Sequence, residues 1–102
     1  MEITNIHPDI EKFTTNLDSH TKGQILRIAD LLRIEEYHLL MPYSKKIEKN
    51  LYELRIKTTK NIRIFYTFHQ NNIIFLHIIN KEKQRLSKND IETARNRLKW
   101  LR

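Results

Sequence analysis

With 102 residues, 39% of them hydrophobic, the chain suits one small domain spanning 1–102 and leaves no room for a separate substrate domain. The absence of cysteine excludes disulfides and thiolate metal sites, and no window approaches the roughly 20 apolar residues of a membrane span. Its 19 Lys+Arg against 12 Asp+Glu give a formal net charge of +7, which favours polyanionic partners, nucleic acid first and an acidic protein second.

The opening "MEITNIHPDI" has no basic region followed by an apolar run, so no secretory leader is expected and the chain reads as cytoplasmic. It is also too short to make a convincing strand. Pro8 suits a first helical turn, and Ile10, Phe13 and Leu17 form a short apolar stripe. After a break at "LDSH", Ile25, Ile28, Ala29 and Leu32 repeat at helical spacing, with Arg27, Asp30 and Arg33 facing water. "YHLLMPYSKKIEKN" reads as irregular, because Pro42 disfavours helix at Met41. Strands are predicted over about 51–57, 62–69 and 73–80, joined by "TTKN" and "QNN". In "SKND", Ser87 caps a last helix and Asp90 returns the bond as a capping box, with Ile91, Ala94, Leu98 and Leu101 as its apolar stripe. The order predicts an α+β domain: a small antiparallel β-sheet of three to four strands on two N-terminal helices, with a C-terminal helix.

Strand parity then places the charges. Tyr52, Leu54 and Ile56 alternate with Glu53, Arg55 and Lys57, and Ile62, Ile64, Tyr66 and Phe68 alternate with Arg63, Thr67 and His69, so even positions face the core. A three-residue loop, Thr58 to Lys60, pairs Lys57 with Asn61 and sets Arg55 opposite Arg63, while a register shifted by two makes them diagonal neighbours; either way they share the other face. Like charges so placed destabilise by up to about 1 kcal/mol, and such a pair calls for an anion between its members. "IIFLHIIN" is apolar on both faces, as a doubly covered strand should be. A three-residue loop, Gln70 to Asn72, adds Phe75, His77 and Ile79 to the arginine face, with Lys81 and Lys83 beyond.

Two guanidiniums grip a phosphate and stabilise the charge that grows in phosphoryl transfer, while His77 or Glu53 can move a proton. With RNA the 2′-OH supplies the nucleophile, so neither metal nor cofactor is required. The same residues admit plainer roles. The arginines can pair with Glu53 or other carboxylates, and His77 can be a hydrogen-bonded structural histidine. Lys45, Lys46 and "KEKQRLSK" can be solvated charge, and Phe65 and Phe75 core rather than platforms for bases. There is no HExxH, P-loop or GxGxxG.

The segments "LMPYSKKI", "NLYELRIK", "NIRIFYTF", "IIFLHIINKEKQ" and "DIETA" together resemble the HigB-like, phage-derived branch of the RelE/ParE toxin superfamily, over about residues 40–95. The resemblance implies ribosome-dependent cleavage of mRNA by a toxin of a type II toxin–antitoxin module, restrained by a cognate antitoxin, often one with a helix-turn-helix domain. Arg55 matches the arginine of the family's YELR, Arg63 that of its yRvfY, and His77 the histidine of its LHgF. Lys81 matches the first lysine of its KK pair, and Lys46 the basic residue after MPY. On this reading Lys46, Lys57, Lys81, Lys83 and Arg85 steer RNA. Tyr66 matches a family tyrosine, which parity turns toward the core, and Asn50 stands where the pattern has glycine. Within the superfamily, a ParE-type inhibitor of DNA gyrase is the alternative, and a non-catalytic RNA- or protein-binding module on the same scaffold is another.

Overall fold

The computed structural model describes residues 1–82 and 87–101. In chain order these form β1 (Glu2–Asn5), α1 (Pro8–Thr15), α2 (Ser19–Glu35), a 3₁₀ turn at Glu36–His38, β2 (Ser44–Glu48), β3 (Leu51–Lys57), β4 (Asn61–His69), β5 (Asn72–Asn80) and α3 (Lys88–Lys99). The sheet is five-stranded and mixed, in the order β1-β5-β4-β3-β2, with β1 parallel to β5 and the remaining pairs antiparallel. The expected antiparallel sheet of three to four strands is therefore corrected at both edges. β1 has four residues, mostly exposed, and its ladder partner begins at Asn72, so nothing local in "EITN" specifies it. β2 lies within the segment read as irregular. Its "SKKIE" is polar because it is an edge strand, where lysines guard against further pairing.

Capping fixes the helices. Asp18 accepts from the Thr21 amide at the start of α2, while the His7 ring accepts from the Asp9 amide and Pro8 opens α1. Ile25, Ile28, Ala29 and Leu32 are all buried, as is Ile10 on α1. They meet Leu54, Ile56, Ile62, Ile64 and Tyr66 from the even face of β3 and β4 in the main core. At roughly 2 kcal/mol for each large aliphatic side chain removed from water, this face supplies much of the stability. The opposite face is covered as well: Leu51, Phe65, Ile74 and Leu76 form a second core with Ala94, Leu98 and Leu101 around α3. No described helix is long and apolar enough to cross a membrane.

The β3–β4 hairpin has the expected register, with Lys57 opposite Asn61 and Arg55 opposite Arg63. The β4–β5 hairpin does not. Gln70 and Asn71 have φ of 49° and 65° and form a two-residue turn, so that Asn72 already pairs with His69. This turn puts Phe75 opposite Tyr66 and hence among the main core, not on the arginine face. One residue on, Leu76 is an unpaired bulge, which returns His77 to the place opposite Phe65 and Ile79 to the place opposite Arg63. The Leu76 carbonyl accepts from Arg97 Nη1 of α3 at 2.9 Å, and the same guanidinium holds Asp9 of α1. Asn50, at φ 63°, occupies the left-handed region where the family pattern has glycine, a conformation asparagine tolerates.

Four carboxyls are held below their ordinary values. Arg97 does this for Asp9, Lys60 and Thr21 for Asp18, and Arg95 for Glu48. Burial opposes ionisation of Asp90, but hydrogen bonds from Ser87 and His77 outweigh it. The unfolded chain therefore takes up protons first as pH falls. The stabilisation is complete above the ordinary values of 3.8 for Asp and 4.5 for Glu and is lost as pH drops through the lowered folded ones. Urea unfolding followed from pH 7 to pH 2 should show a plateau and then a steep acid decline. Arg97→Leu should make that decline shallower by removing the Asp9 contribution.

Candidate functional site

The hairpin backbone decides how close the two arginines come. The Arg55 amide is spent on the Tyr43 carbonyl at 2.7 Å, on the β2 side of its strand. Arg55 and Arg63 are therefore a non-hydrogen-bonded pair, the arrangement with Cα atoms about 4.5 Å apart and side chains closest. The anion this pair calls for is internal. Glu53, two residues before Arg55 and 2% exposed, accepts from Arg55 Nε at 2.7 Å and lies 3.5 Å from Arg63 Nε. Arg63 Nε is itself buried without a hydrogen-bond partner. Burial lowers the Arg63 pKa from its ordinary value; Glu53 acts to raise it, and Arg55 to lower it further. The outer guanidinium nitrogens of Arg55 and Arg63 make no protein hydrogen bond among the described residues. The triad thus carries a net charge of +1 and offers planar donor pairs suited to a carboxylate or phosphate.

Beside the triad runs a cleft of about 420 Å³, lined by Arg55, Arg63 and Lys57 and closed by Tyr43 and residues of α2. Lys57 is exposed at its edge, and Lys81 lies at the same end of the sheet, its amide donating to the Asn61 carbonyl at 2.6 Å. His77 belongs to the neighbouring row of the same face, Lys45–Glu53–Phe65–His77. Two strand spacings separate it from Glu53, about 10 Å, with the Phe65 ring between. The imidazole lies near parallel to Phe65, centroids 6.0 Å apart, and one nitrogen, Nε2, is 3.0 Å from Asp90 Oδ1. The Ser87 hydroxyl caps α3 by accepting from the Asp90 amide, but the expected return bond of a capping box is replaced: the Asp90 carboxylate accepts from the Ser87 hydroxyl at 2.6 Å and engages His77.

The structure thus brings Glu53, Arg55, Arg63 and Lys57 together, sets Lys81 at the same sheet end and seats His77 one row away under α3. Lys46 faces elsewhere. It is exposed opposite Tyr52, on the side of the sheet that packs on α1 and α2, whereas Lys45, opposite Glu53, shares the arginine face. Parity within β2 would have distinguished the two, had β2 been recognised as a strand. Lys83 and Arg85 lie outside the described residues. Tyr66 is buried as expected: its hydroxyl is 2.5 Å from Ser44 Oγ, and burial pushes its pKa up to about 12.

Fold and site define a small α+β domain with a carboxylate-bridged arginine pair on one face of a mixed five-stranded sheet. The chain belongs to the family described as Phage derived protein Gp49-like, whose model matches residues 12–99 and so spans the triad, His77 and α3. This is a toxin-like family of RelE/HigB type, which agrees at family level with the resemblance carried by the sequence. No curated protein matches the chain.

Removing the bridging carboxylate leaves two half-buried cations facing each other. Glu53→Ala should cost roughly 3 kcal/mol in urea unfolding. Combining Glu53→Gln with Arg63→Leu should recover a substantial part of that loss, whereas an unaltered stability in Glu53→Ala would show that the bridge carries no structural weight.

Proposed function

We propose that the chain is the toxin of a type II toxin–antitoxin pair and acts as a metal-independent endoribonuclease that cleaves mRNA on the ribosome. The observation that carries this reading is the Arg55–Arg63 pair, held at close range by Glu53 with its outer nitrogens unspent. Family membership supports the toxin assignment. The reaction begins with attack of a ribose 2′-OH on the adjacent phosphorus. It forms a 2′,3′-cyclic phosphate and expels the 5′-oxygen, which takes a proton. Negative charge grows on the non-bridging oxygens, and two preoriented guanidiniums stabilise it without reorganising.

Glu53, sealed beneath both arginines, serves as a positioning residue. His77 carries the proton transfer: Asp90 engages its Nε2 and sets the ring's orientation, leaving Nδ1 for substrate. Lys81 is the second proton-carrying side chain at this face. Lys57, with Lys45 of the same face and the charges of Lys83 and Arg85, attracts the RNA backbone, so engagement weakens steeply with salt. The net charge of +7 also suits an acidic surface on the restraining antitoxin.

Induction of the wild type in bacteria should arrest growth and produce new 5′ ends within translated messages. Arg55→Ala leaves Arg63 as the counter-ion of Glu53, so it should lower stability in urea unfolding and, in the protein that remains folded, lower the cleavage rate about 10²- to 10³-fold. Growth arrest that persists in Arg55→Ala without any new 5′ ends would contradict the ribonuclease reading and point to a protein target such as DNA gyrase.

A further inference from the structure

The cleft beside the arginine pair holds more than a phosphate site requires. β2 begins at Ser44 opposite Leu54, so on that side the end of β3 runs on to Lys57 without a neighbouring strand, and α2 closes the gap. The lining includes four cationic side chains, Arg27, Arg55, Lys57 and Arg63, and no carboxylate. The lining also includes Met41, Pro42 and the ring of Tyr43, over the buried side chains of Ile28 and Ile56. A volume of about 420 Å³ falls in the range of small-molecule sites and suits one nucleotide.

The α2 wall has a defined polarity. Gln24 accepts from Arg27 Nε at 3.0 Å through its side-chain oxygen, which steadies the guanidinium and leaves its outer nitrogens for a ligand. Arg27 is exposed and has donors only. The outer guanidinium nitrogens of Arg27 thus present two adjacent donors. A phosphate alone would engage the arginines of β3 and β4 and make no use of this wall.

We propose that the cleft seats the base of the nucleotide whose phosphate lies on Arg55 and Arg63, and that Arg27, held in place by Gln24, selects guanine. Guanine presents O6 and N7 as adjacent acceptors on one edge, the pattern that arginine reads best, whereas adenine carries an amino group in place of O6. The base stacks on Tyr43 with the aliphatic surface beneath it. The inference rests on the phosphate-site reading of Arg55 and Arg63 and is independent of whether RNA is cut.

The test is an NMR titration of the full chain, reading backbone amides together with arginine Nε–H and glutamine NH₂ signals. The probes are inorganic phosphate, guanosine monophosphate and adenosine monophosphate. Inorganic phosphate should shift Arg55 and Arg63 alone. Guanosine monophosphate should also shift Gln24 and Arg27 and bind about tenfold more tightly than the adenosine compound. The α2 surface variants Gln24→Leu and Arg27→Ala should erase that difference. Equal binding of the two nucleotides, or a preference that survives both substitutions, would overturn base selection while leaving the phosphate site standing. Silence of Arg55 and Arg63 toward all three probes would overturn the phosphate site and the base pocket together.

Discussion

The contact on which the functional face depends is the Glu53 carboxylate lodged between two arginines of adjacent strands. Neither charge type would be tolerable there alone. An isolated buried carboxylate is strongly disfavoured, and two guanidiniums in a non-hydrogen-bonded cross-strand pair repel at the shortest spacing a sheet allows. Joined, they offset each other's charge, through the hydrogen bond from Arg55 Nε to Oε1 of Glu53 and the ion pair with Arg63 at 3.5 Å. Both arginines engage the carboxylate from the Nε side, which leaves the forked outer ends unspent. The cost of organising two cations is thus met during folding, before any ligand arrives, and this is the condition under which such groups stabilise a transition state most effectively.

The far boundary of the face is set by α3. The Leu76 bulge re-aims His77 onto the arginine side and leaves a carbonyl for Arg97, whose guanidinium also clasps Asp9 on α1. Asp90, in the first turn of α3, holds His77 from above. One helix therefore seals the second core, satisfies the bulge and orients the imidazole. The Asp90 contact that makes His77 a satisfied side chain is the same contact that would orient it for the proposed proton transfer.

The β3–β4 hairpin was legible in the sequence because polar and apolar residues alternate cleanly over "LYELRIK" and "NIRIFYTF", and parity with a three-residue loop fixes the rest. His77 landed on the expected face through two departures that cancel, a two-residue turn where three residues were expected and a one-residue bulge at Leu76. Phe75, which lies between turn and bulge, shows the uncompensated error. Its strand is apolar on both faces and offers no parity signal. β1 depends on a ladder to a segment 70 positions away in register, Glu2 to Asn72, and β2 is polar because it is an edge, so neither carries a local strand pattern. The misplacement of Lys46 relative to Lys45 follows from the missing β2. The cleft wall of Gln24 and Arg27 was hidden for another reason: helical periodicity assigns a residue to water but cannot say which other element borders that water.

The account's central claim is that the arginine face binds and cleaves an RNA phosphodiester. It is tested most directly by adding the purified chain to ribosomes programmed with a defined message and identifying the new ends chemically. The account predicts cleavage without added cofactor, upstream fragments ending in a 2′,3′-cyclic or 3′-phosphate, and downstream fragments beginning with a 5′-hydroxyl. An intact message, or fragments ending in a 3′-hydroxyl, would contradict it.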